Sequence, residues 1–173
     1  YIIHHILVKT NLFLISGIVK ITNGHYALSK LGGVYDRFPF VTVLFAISAF
    51  SLAGIPPLSG FWGKFILAKA GLESGAYVIV AVSLLVGLLT LFSMSKIWVS
   101  VFWSAGPGTK SNPPQYDSPT LFRRYYCLLL ASVFLTLCTL GISFYPDFLI
   151  SFSEQAAEQL LNPQEYINAV LNP

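Results

Sequence analysis

Gly54-Ile55-Pro56-Pro57-Leu58-Ser59-Gly60-Phe61-Trp62-Gly63-Lys64 interrupts an otherwise apolar run over residues 39–72. The apolar flanks read as helix, and two consecutive prolines between Gly54 and Gly60 break it. Two readings are open: a turn joining two short spans, or an interruption within one discontinuous span. Thirty-four residues of unbroken helix would measure about 50 Å, too long to sit untilted in about 30 Å of hydrocarbon. Unwound backbone at that depth is tolerated only where protein or a water-filled cavity surrounds it. Transporters place such interruptions at their ion sites, so the break at Gly54, Pro56, Pro57 and Gly60 is a functional hint.

Composition sets the solvent. Of 173 residues, 55% are hydrophobic and only 10% charged, and the mean hydropathy is +0.70. That is too few charges to coat a water-soluble globule and too apolar for disorder. A net charge of +3, sparse and scattered, excludes a nucleic-acid face. The expected fold is an all-α, polytopic membrane helix bundle with the lipid bilayer as its surroundings. Spans are expected at residues 1–19, 39–72 (broken near 54–60), 77–103 and 122–144, followed by an amphipathic tail over 145–173. The opening Tyr1-Ile2-Ile3-His4-His5 has no Met and no basic n-region, which reads as a piece of a longer chain and not as a signal peptide. Cys127 and Cys138 are eleven residues apart in one span, about 16 Å along a helix and beyond disulfide reach.

Charge placement separates the two readings of the break. If residues 39–72 cross once, the connection at 20–38 and the loop at 104–121 share a side. That side collects Lys20, Lys30, Arg37 and Lys110, with Arg123 and Arg124 at the mouth of the last span. The opposite side holds Lys69, Glu73 and a tail with Asp147, Glu154, Glu158 and Glu165 but no basic residue. A full turn would split the basic residues almost evenly. The positive-inside bias favours the single broken span, with both loops cytoplasmic and the tail outside.

Lys64 is the first candidate for function, because it follows the break within the first turn or so of the resumed helix. Desolvation and the positive end of that half-helix both disfavour the ammonium there. The expectation is an amine able to take and release a proton near mid-membrane; the alternative is a lysine snorkelling to the interface. In the first span His5 and Lys9 are four apart and share a helical face, with Ser16 continuing the stripe and Asn11 beside it. Imidazole beside amine suits a proton relay. The competing reading leaves His4 and His5 solvated at an interface. Lys96 is expected to snorkel from within an aromatic belt of Trp98, Trp103, Tyr125 and Tyr126, and Lys69 and Glu73 to form a solvated pair. No zinc-spaced Cys/His cluster, phosphate loop or hydrolytic triad is present, so no catalytic group, metal or cofactor is expected. In the tail, Ala157, Leu160 and Leu161 share a face, and Asn162-Pro163-Gln164-Glu165 reads as a second helix start with Asn162 as its N-cap.

His4-His5-Ile6-Leu7-Val8-Lys9-Thr10-Asn11-Leu12-Phe13-Leu14 and the stretch from Ser51 through the double proline to Phe65 resemble the antiporter-like membrane subunits. That superfamily joins the Mrp (Mnh) multisubunit Na+/H+ antiporters to the proton-pumping subunits of respiratory NADH:quinone oxidoreductase. Gln155-Ala156-Ala157-Glu158-Gln159-Leu160-Leu161 and Tyr166-Ile167-Asn168-Ala169-Val170-Leu171 are most similar to the D-type subunits of the Mrp branch. The resemblance implies a bundle of about fourteen helices built on an inverted repeat, of which this chain would be the last four spans. It implies a discontinuous twelfth helix carrying a functional lysine, matched by Lys64, and a central hydrophilic axis matched by His5 and Lys9. The family's other essential groups, an early glutamate and a lysine on the seventh helix, would lie upstream, so four spans alone could not translocate ions.

The function so implied is a subunit of a secondary cation/proton antiporter in a bacterial or archaeal cell membrane, with no enzymatic reaction of its own. Lys64, Lys9, His5 and His4 would belong to its proton path. Its partners would be the other subunits of a hetero-oligomeric complex, protons and monovalent cations, Na+ first among them. The alternative is a pumping subunit of an NADH- or ferredoxin-linked quinone oxidoreductase, and the bland one a membrane scaffold with no ion path.

Overall fold

The computed structural model describes residues 1–104 and 119–171. Their helices are α1 (Ile2–Asn23), α2 (Val34–Arg37), α3 (Pro39–Ala53), α4 (Ser59–Glu73), α5 (Tyr77–Ile97), α6 (Pro119–Phe144), α7 (Pro146–Leu161) and α8 (Gln164–Leu171). A short π-helical segment, Trp98–Trp103, extends α5. Three of these are long and apolar enough to cross a membrane: α1, α5 with its extension, and α6 from Tyr125 onward. The chain is a multi-pass, all-α membrane bundle. Of the loop expected at 104–121, residues 105–118 lie outside the described residues, Lys110 among them.

α3 has 15 residues, about 22 Å of helix, too short to cross alone. Its continuation is read from α5. Val80 meets Gly71 of α4, Gly87 faces Lys64 and Ala53, and Phe45 of α3 takes Trp98 stacked and Phe102 tilted against its ring. Passing down α5 thus means passing back along α4 and then α3. The two short helices run in one direction beside one antiparallel partner, with the break between them.

α1 packs on α3 and α6 with a seven-residue repeat of buried positions: His4, Val8, Asn11, Ile15, Ile18 and Thr22. This is the spacing of a left-handed helix crossing. α6 answers with Ser132, Thr136, Thr139 and Ser143, small side chains that let membrane helices approach closely. The apolar core gathers Ile15, Ile18, Val41, Phe45, Phe102 and Tyr125 near the basic connection.

Several boundaries and exposures differ from expectation. α1 continues to Asn23, so Lys20 is on its last turn; Gly24, at φ 77°, ends it with its N–H on the Lys20 carbonyl at 2.7 Å. α7 begins at Pro146, because Pro at N1 suits a helix start. α8 begins at Gln164, and the first carbonyl of its ladder is that of Pro163, accepting from Ile167 N–H at 2.9 Å. Asn162 therefore lies just outside the cap position. Of the expected aromatic belt, Trp103 and Tyr126 are exposed, while Trp98 stacks inward on Phe102 and Tyr125 is buried. Rings at one depth still divide between lipid and core according to the face they occupy. Lys96 is exposed and Lys69 pairs with Glu73 at 3.8 Å, both side chains exposed. Both cysteines are free.

Candidate functional site: a helix break filled by a lysine

α3 ends because the backbone runs out of donors. In an unbroken helix the Leu52 and Ala53 carbonyls would accept from the N–H groups of residues 56 and 57. Those residues are Pro56 and Pro57, which have none. Gly54, at φ 89°, turns the chain with its N–H on Phe50 O at 3.0 Å and Ser51 O at 3.1 Å. Ile55 N–H returns to Phe50 O at 3.1 Å. The Pro56–Pro57 peptide is cis. α4 then starts so close to the end of α3 that a Cβ on Gly60 would overlap the Ser51 carbonyl oxygen.

The two orphaned carbonyls receive one side chain. Lys64 Nζ donates to Ala53 O at 2.8 Å and to Leu52 O at 3.1 Å, replacing both missing backbone donors. The sequence alone puts this amine in the field of the α4 N-terminus. Its stem starts there, but its head lies across the break at the C-terminal end of α3. The helix-end field at the amine therefore has the opposite sign to the one expected. A Cβ on Gly87 would lie 3.6 Å from Nζ. Gly87 is roughly 15 Å of helical rise from the start of the Tyr77–Trp103 span and roughly 24 Å from its end. The amine thus sits in the interior of that span, away from either end.

Lys64 lines a cavity of about 490 Å³ between α1, α4 and α5, together with His5, Lys9, Ser83, Thr90 and Ser93. Three of the four side chains expected in a proton path therefore share one space. His5 is half-buried with its Nδ1 unpartnered, and Lys9, one turn along α1, is exposed. A second cavity of about 280 Å³ continues past Lys9 to Ser16 and His25, sharing Lys9 and Met94 with the first. Lys9 stands where the two meet.

His4 does not join that space. It is 3% exposed and faces the other side of the break, with Nδ1 at 2.8 Å from Ser59 Oγ, which is 2.9 Å from Ser51 Oγ. The interfacial reading of His4 is excluded by this burial. His5 differs because adjacent residues on a helix diverge by about 100°.

A buried polar seam was not anticipated. Asn11 Nδ2 donates to Ser48 Oγ and to Thr136 Oγ1, each at 2.8 Å. Ser48 Oγ spends its own hydrogen on Leu44 O at 3.0 Å, and Thr136 Oγ1 on Ser132 O at 2.8 Å. Both hydroxyls must then accept from the amide, which orients it: Nδ2 faces them, and Oδ1 points away, buried and unpartnered. The signal that could have revealed this seam is the i, i+4, i+7, i+11 spacing of Ser132, Thr136, Thr139 and Ser143 in the last span.

An all-α membrane bundle with a discontinuous helix has the kind of interruption that many transporter folds place at their substrate and ion sites. The profile of the family described as "NADH:quinone oxidoreductase/Mrp antiporter, TM" matches residues 1–90, and the chain belongs to that family. It is 42% identical over 171 residues to the D-type subunit of a Na(+)/H(+) antiporter from Alkalihalophilus pseudofirmus. It is 41% identical over 174 residues to the protein of the same name from Bacillus subtilis. These alignments cover 99% of this chain and 33% of each relative, so the chain spans a third of their length. In a solved structure of the Mrp complex from Dietzia sp. DQ12-45-1b, one chain matches with a TM-score of 0.84 at 30% identity. That match covers 98% of this chain and 38% of the other.

Proposed function

We propose that this chain supplies the last four spans of a D-type membrane subunit in a multisubunit monovalent cation/proton antiporter. Lys64, His5 and Lys9 carry part of its proton path, with His4 across the break. The observation that carries this reading is the Lys64 amine on the carbonyls that Pro56 and Pro57 leave orphaned, inside a cavity shared with His5 and Lys9. An amine with acceptors on one side and a cavity holding other ionisable and hydroxyl side chains on the other can exchange a proton without moving the helices. The titratable row His5–Lys9 then passes it along α1 towards Ser16 and His25. The relatives' names and the match to the Mrp complex support a hetero-oligomeric antiporter in a bacterial cell membrane. Protons and Na+ are its ions, and no enzymatic step belongs to this chain. The charge distribution supports cytoplasmic loops at 20–38 and 104–121 and an outer tail.

The test is Lys64→Ala in the complete complex. Cation-driven proton movement in membrane vesicles is expected to be abolished with the complex still assembled; transport at the parent rate overturns the assignment. The family is shared with NADH:quinone oxidoreductase, which keeps a redox-coupled pumping subunit as the second reading. Co-purification with quinone-oxidoreductase subunits in place of antiporter subunits would select it.

A further inference from the structure

Side chains bridge the break on two sides. On one, Lys64 Nζ bonds the Leu52 and Ala53 carbonyls. On the other, His4 Nδ1 of α1 meets Ser59 Oγ at 2.8 Å, and Ser59 Oγ meets Ser51 Oγ at 2.9 Å. Ser59 is the first residue of α4, and Ser51 directly precedes Leu52. One hydroxyl therefore joins three helices where α4 restarts, beside the carbonyls that seat the amine. All three side chains are sealed: His4 is 3% exposed, Ser59 2% and Ser51 0%. Burying such groups without partners is costly, so the chain of contacts holds its members together. Among the described residues, this strap and Lys64 itself make the side-chain hydrogen bonds between α3 and α4. Trp62 Nε1, donating to Ser143 O at 3.3 Å, ties α4 to α6 instead.

A third cavity, of about 270 Å³, lies on this side of the break, lined by Tyr1, His4, Ser59, Trp62 and residues of α6 and α7. Neither ring nitrogen opens on it. Nδ1 is held by Ser59 Oγ, and Nε2 has no accessible surface and lies against Gly60, where an added Cβ would be 2.9 Å away. A charged imidazole carries two N–H donors, and this site supplies an acceptor for one. A proton carrier needs a way in and a way out; this ring has a single polar contact. The titratable groups around it are Tyr1 and His5 on α1, Lys64 across the break on α4, and Glu154 of α7 on the third cavity; α3 offers Ser51 and α6 Ile142. We propose that Ser59 is the positioning residue of the break: through His4 and Ser51 it fixes the start of α4 against α1 and α3, and so keeps the Lys64 amine at its two carbonyls. While that amine exchanges its proton, the strap holds α4 in place. This inference rests on the proton-path reading above and makes His4 a support of that path, not a carrier.

The experiment compares Ser59→Ala, His4→Leu, His4→Asn and Lys64→Ala in the intact complex, in vesicles, as Na+-driven proton flux per assembled complex across a range of pH. Ser59→Ala and His4→Leu are each expected to lose most of the flux. Asparagine offers both a donor and an acceptor at the reach of Nδ1 but takes up no proton. His4→Asn is therefore expected to restore most of the flux lost in His4→Leu, with the parent's pH profile. Flux as low in His4→Asn as in His4→Leu, or a displaced pH profile, makes the ring a carrier and overturns the proposal. Parent-like flux in Ser59→Ala beside a dead Lys64→Ala also overturns it and leaves the function standing; parent-like flux in both removes the two together. Should His4→Asn fail to assemble, Ser59→Thr, which keeps both hydroxyl and ring, takes its place. Recovery of the flux lost in Ser59→Ala then supports the strap, and no recovery refutes it.

Discussion

The two faces of α1 are built on opposite principles. One face presents Val8, Asn11, Ile15 and Ile18 to α3 and α6, all essentially inaccessible, and its polar member is a neutral amide. The other face presents His5, Lys9 and Ser16 to open cavities. A neutral amide can be satisfied by two hydroxyls in a dry interface, whereas an ionisable group buried without a partner is far more costly. The chain therefore places its chargeable groups beside space that admits water and its neutral polar groups where helices close. His4 is the exception, a titratable ring on the sealed face, and it has its own cavity at its edge.

That contrast can be broken in several ways. Gly60→Ala is expected to act most strongly. The added methyl meets the Ser51 carbonyl, a backbone atom that cannot rotate away, and overpacking of this kind costs about 1–3 kcal/mol or more. Little assembled complex should reach the membrane, as read by native electrophoresis; a normal yield would show that α4 is free to slide from α3. Lys9→Ala and Asn11→Ala sharpen the comparison as a pair. Lys9→Ala should lower transport per complex without moving the thermal midpoint. Asn11→Ala should lower the midpoint by the equivalent of about 0.5–2 kcal/mol, the range for interhelical hydrogen bonds in membranes, with transport per complex unchanged. The reverse pattern would mean that ions pass through the seam. Lys96→Ala should do least: its side chain is exposed, and a substitution there is expected to stay within about 0.5 kcal/mol of the parent, with transport near the parent rate.

The broken span was legible because its cause is covalent. Two prolines remove two backbone donors wherever they occur, and a run of this length and apolarity has few places to go but across a bilayer. Lys64 stood out for a related reason, since an ionisable residue within a membrane span marks a candidate site by default. Its partner was not. The carbonyls it serves lie eleven and twelve residues back, on a separate helix, and only the approach of α4 to Ser51 at Gly60 brings amine and carbonyls together. The Asn11 seam was hidden because hydroxyl stripes in an apolar span look alike whether they face lipid, backbone or another helix.

The amino-acid order by itself determined that the chain crosses a membrane, that one apolar run is interrupted at its prolines, and which side chains there carry ionisable groups. These follow from backbone donors, side-chain chemistry and helical periodicity, all local properties. Only the tertiary structure decided that His4 and His5 line different cavities and that Lys64 faces the end of α3. Those depend on which helix faces which, and that is settled by packing across many residues at once.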